Sequence, residues 1–97
     1  MSRASLERRL ADVGERLRGL RGELAVIDEQ ARHLDDEADD ARLRALVAET
    51  PLAGREHKEA ARHAEAMRKR RAEVVASITK LEAQQDDLLD RYLAEPS

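Results

Sequence analysis

Thirteen apolar residues recur at alternating steps of four and three: Leu6, Leu10, Val13, Leu17, Leu20, Leu24, Ile27, Ala31, Leu34, Ala38, Ala41, Ala45 and Ala48. The rhythm holds without a slip in a chain that is only 41% apolar, so it is not a by-product of composition. A mean step of 3.5 residues keeps one narrow stripe of a helix turned toward a partner helix, the a/d pattern of a left-handed coiled coil. A second stripe runs Ala60, Ala64, Met67, Arg71, Val74, Ile78, Leu81, Gln85, Leu88, Tyr92. Its two polar members fit the same picture. An arginine can lay its stem along the seam, and a glutamine can fix the register.

The two stripes fall out of phase at Glu49-Thr50-Pro51-Leu52-Ala53-Gly54. Thr followed by Pro marks a helix start, because the hydroxyl caps free N–H groups and proline suits the first helical position. Pro96 ends the second helix. Sheet architectures are not expected: Tyr92 is the only aromatic residue, and there are five Val, two Ile and two Thr. The fold class is therefore all-α, a two-helix antiparallel coiled-coil hairpin over 1–97 as a single domain. Helix 1 is expected at about 3–48, the turn at 49–54 and helix 2 at about 52–94. A link this short folds the helices back on each other and sets residue i opposite about 102 − i.

That register pairs large with large and small with small. Leu10 to Leu24 face Ile78 to Tyr92, while Ala31, Ala38 and Ala41 face Arg71, Ala64 and Ala60, and Ala45 faces the start of helix 2. It also sets the acidic run Asp35-Asp36-Glu37-Ala38-Asp39-Asp40 beside Arg62–Arg68, and Arg68-Lys69-Arg70-Arg71 beside Asp28–Asp35. Opposite charges along a seam select partner and orientation. The basic run is accounted for in this way without nucleic acid, which the net charge of −3 and the lack of stacking aromatics also disfavour.

A narrow seam that is half alanine buries little, so further apolar contact is expected. Leu10, Leu17, Val75, Leu89 and Tyr92 form the expected oligomer interface, in a dimeric four-helix arrangement at the Leu-rich end. Leu43, Leu46, Val47, Pro51 and Leu52 form a second group near the turn. Two accounts of that group stand side by side: a surface for a protein partner, or a local stutter that turns these residues into the hairpin core.

No constellation for catalysis is present. The chain has no cysteine, and His33, His57 and His63 lack the Glu-x-x-His spacing of helical di-iron sites. Neither catalytic residues, a metal nor a cofactor is expected. The first ten residues carry no apolar signal segment, and no 18-residue apolar run exists, so a cytoplasmic location without membrane contact is expected.

One stripe of helix 2, Glu73-x3-Ser77-x2-Lys80-x3-Gln84, resembles part of the Glu-x3-Ser-x2-Arg-x3-Gln-x3-Asp signature of cyclic-di-GMP-dependent anti-sigma factors. Lys80 stands where the signature has Arg, Leu88 stands where it has Asp, and helix 1 has no second copy. The resemblance spans about sixteen residues and implies an antiparallel helical hairpin whose four polar residues contact a guanine dinucleotide. The tip is also generically similar to the helical-hairpin arms of transcript-cleavage factors that enter RNA polymerase. It offers Glu49 and Glu56, with Arg55 and Leu52 between them. The main expectation is a non-enzymatic protein–protein interaction module, a small adaptor or regulator that binds a protein partner or itself.

Overall fold

The computed structural model describes residues 1–96, which form two α-helices and no strand. Helix α1 spans Arg3–Ala48 and α2 spans Pro51–Ala94. Each start is capped from the sequence side. The Ser2 hydroxyl accepts from the Ser5 N–H at 3.1 Å, and the Thr50 hydroxyl accepts from the Ala53 N–H at 3.2 Å, with Pro51 in the first helical position. The connection is only Glu49 and Thr50. Helix α2 begins at Pro51, one residue before its expected start at about 52, so of the residues 49–54 expected to make the turn only the first two lie outside helix. At the other end the chain leaves helix before Pro96, whose ring disfavours helical geometry in Glu95.

The residues form two compact units. The terminal unit comprises Met1–Leu24 with Val74 onward, and the turn unit comprises Ala25–Glu73. In the terminal unit the two helical segments run antiparallel, as its cross-links show. Arg3 donates to the Glu95 carbonyl at 3.4 Å, the Tyr92 hydroxyl donates to Glu7 at 2.9 Å, and Arg21 pairs with Glu82 at 3.1 Å. The Arg3 guanidinium also lies 4.1 Å from the Tyr92 ring centre, so one aromatic ring carries both a cation contact and a hydrogen bond. The buried side chains here are Leu6, Val13, Leu17, Val74, Ile78, Leu81 and Leu88.

The turn unit is a helical hairpin built on smaller residues: its buried side chains are Ile27, Ala41 and Ala64. Arg71 pairs with Asp28, and Arg68 with Asp35 at 2.7 Å, again antiparallel. Arg71 occupies a seam position, yet it is exposed, because its head swings outward to reach Asp28. Every fully buried residue in either unit lies on one of the two apolar stripes. The second stripe also extends nearer the turn than its apolar residues indicate. Ala53 and His57 continue the 3–4 spacing, and both are half-buried.

Glu49 adopts φ 53°, the left-handed conformation in which helices often end, and its N–H bonds to the Ala45 carbonyl at 3.1 Å. A side chain in that region is strained, and glycine is not. Glu49→Gly should therefore raise stability by about 0.5–1 kcal/mol in urea denaturation. Leu17→Ala should lower it by about 2–5 kcal/mol through a core cavity, at a site where 1% of the residue is exposed. Urea midpoints that move the other way would contradict the turn geometry or the seam, respectively.

Candidate functional site

Leucine and valine near the end of α1 fall between seam positions, so they point away from α2. The outcome is a set of uncovered side chains: Leu43 is 55% exposed, Leu46 65%, Val47 86% and Leu52 58%, and Pro51 is exposed beside them. The stutter account is thereby overturned, because the 4–3 spacing continues through Ala41 and Ala45 and leaves no room for Leu46 in the seam. Leu43, Val47 and Leu52 line a shallow groove of about 440 Å³ whose other apolar walls are Ala48 and Ala53. Arg44 stands on its α1 bank and Glu56 on its α2 bank.

The same two residues border a second depression farther along the hairpin, about 420 Å³, walled by Glu37, Asp40, Glu59 and His63. Its alanine floor, Ala41 and Ala60, is the thin part of the seam. Of the acidic run expected beside Arg62–Arg68, Asp35 is met by Arg68 and the rest is not. Among the described residues Arg62, Asp36, Asp39 and Asp40 make no ion pair, and Glu37 meets only His33, at 3.4 Å. Cross-helix pairing in this unit stops at Asp35, where Arg68 also binds Glu65 at 2.9 Å. The hydrogen bond that Arg68 donates to Glu65, and then the charge of Asp35, raise the Arg68 pKa above the ordinary arginine value.

The residues expected to form an oligomer interface are placed differently. Leu17 is buried inside the terminal unit, so it has no surface to offer a second molecule and is a core residue. Leu10 and Val75 are half-buried, and Tyr92 is engaged by Arg3 and Glu7. Leu89 and Leu93 remain exposed.

Of the nucleotide-signature residues, Ser77, Lys80 and Gln84 line a shallow depression of about 310 Å³ with Arg16 and Leu81. Glu73 is exposed, 3.8 Å from Arg70. Leu88, in the place of the signature's acid, is buried in the seam. Among the described residues no three His, Asp or Glu side chains converge closely enough to hold a metal ion. No helix is long and apolar enough to cross a membrane.

Comparison with protein-family models, with curated proteins and with solved structures finds no match to this chain. The surface therefore has to be judged by its own chemistry. With Leu88 in the core and lysine in place of arginine, isothermal titration with cyclic-di-GMP should give no heat at high micromolar ligand. Heat that disappears in Lys80→Ala would instead assign the Arg16–Ser77–Lys80–Gln84 depression to the nucleotide.

Proposed function

We propose that this chain is a non-enzymatic helical-hairpin interaction module, and that its partner contact is the apolar surface at the turn. The observation that carries this is the exposure of Leu43, Leu46, Val47 and Leu52 together on a hairpin whose other large apolar side chains serve mostly in the seam. Fully burying one such side chain is worth about 1.5–3 kcal/mol. Four that are half or more uncovered supply enough for a specific contact, since a few well-packed anchors dominate binding. The charged rim formed by Arg44 and Glu56 around an apolar centre has the anatomy of a docking surface.

This anatomy supports the reading of a small adaptor or regulator, in which the seam maintains a helical scaffold and the turn presents the contact. The dimeric four-helix arrangement at the terminal unit is the second reading, and exposed Leu89 and Leu93 favour it. Burial of Leu17 and engagement of Tyr92 leave less apolar surface there, which weighs toward the turn as the principal contact.

Leu46→Asp combined with Val47→Asp should abolish capture of the proteins that co-purify with this chain from its native host. Far-UV circular dichroism should be unchanged, because both side chains are already in water. Capture that survives the double substitution would contradict the assignment of the partner surface to the turn. A loss of helicity would instead place both residues inside the fold.

A further inference from the structure

The turn groove does more than present apolar atoms. It passes into an acidic stretch, and that combination specifies the chemistry of what can lie along it. The apolar part, with Leu43, Val47 and Leu52, meets the acidic part at Arg44 and Glu56, which border both. Beyond them stand Asp40 and Glu59, and then Glu37. Asp40, Glu56 and Glu59 make no ion pair or hydrogen bond among the described residues. These carboxylates do not converge as metal ligands do; they are strung along the two banks. Arg44 is the one full cation bordering either depression.

We infer that the groove takes an amphipathic basic helix of a partner protein. Its leucine-type anchors would sit toward the turn, and its Lys or Arg side chains would lie over Asp40, Glu56 and Glu59. This rests on the proposed turn contact and adds the partner's secondary structure, charge and orientation. The occupant is a helix because the groove lies between two packed helices, where a third helix adds by setting its ridges into the groove. Among the described residues there is no strand whose edge an extended segment could extend, and no aromatic side chain in the groove for a polyproline segment to stack on.

Charge separates the remaining candidates. An anionic membrane surface or a nucleic-acid backbone would be repelled by the acidic banks. Two copies of this chain meeting groove to groove would set like-charged rows against each other when parallel, and unpaired carboxylates over apolar side chains when antiparallel. From Glu37 to Val47 the groove follows ten residues of helix, about 15 Å at 1.5 Å per residue, so the occupant needs about three turns.

The test uses the full chain and two fluorescein-labelled helical peptides of about 14 residues, long enough for anchors at i, i+3, i+4 and i+7 plus a charged half. One carries lysines in the charged half and the other carries glutamates at the same positions. Fluorescence anisotropy should show the lysine peptide binding at least about tenfold more tightly, with the preference shrinking as salt rises. Glu56→Lys with Glu59→Lys should invert the preference. Val47→Asp should abolish binding of both peptides, and Asp90→Lys, an acid of the terminal unit, should change neither affinity.

If both peptides bind equally and Val47→Asp still abolishes binding, the basic-helix inference is wrong while the turn contact stands. If neither peptide binds, or if the inverted variant keeps the lysine preference, the inference is overturned. Failure of the turn contact itself would show separately, as co-purification that is indifferent to Leu46→Asp with Val47→Asp.

Discussion

The constraint from which everything else follows is the 3.5-residue repetition of small and aliphatic side chains that gives each helix one sticky edge. A lone helix cannot satisfy that edge in water, so each segment closes on its antiparallel neighbour. Side-chain size then decides how the two units differ. Leucine, valine and isoleucine make the core of the terminal unit, whereas alanine provides most of the turn unit's buried seam. Alanine lets backbones approach closely but leaves little apolar area to remove from water. The turn unit accordingly has less apolar burial behind it; Thr50 caps its second segment, and the exposed pairs of Arg68 with Asp35 and Arg71 with Asp28 mark its register while adding little stability.

The same geometry explains why a surface is left over. A stripe that occupies two positions in seven cannot absorb Leu43, Leu46 and Val47, which sit between seam positions. Among the described residues nothing else covers them. The acidic residues next to them are left in a comparable state, because among the described residues cross-helix ion pairing stops at Arg68, and Arg62 nearer the turn forms no pair. Uncovered apolar atoms beside unpaired carboxylates form one tract, larger than the pair of exposed leucines, Leu89 and Leu93, on α2 in the terminal unit.

Much of the fold was legible in the spacing. Period and charge sign gave the seam, the antiparallel sense and a register within a few places of the pairs that form, because these depend on patterns repeated over many residues. Single positions were less legible. His57 lies in the seam, although neither its polarity nor the nearby Gly54 advertises it, since a half-buried imidazole is tolerated against alanine. The fate of Leu46 and Val47 depended on whether the heptad slips near the turn, which spacing alone leaves open. Leu17 carries the signature of a seam leucine and of an interface leucine alike, and only its burial assigns it to the seam. Arg62 shows the limit for surface charges: a plausible opposite partner in register does not make a pair, since holding two long side chains together gains little in water.

The account turns on which side chains water reaches, and hydroxyl-radical footprinting read by mass spectrometry measures that directly. In the purified chain Leu43, Leu46, Val47 and Leu52 should be oxidised rapidly while Leu17 and Leu81 are protected, and inside the native host the turn residues should become protected in turn. Slow oxidation of the turn residues in the purified chain, or identical rapid oxidation inside the host, would contradict a surface held open for a partner.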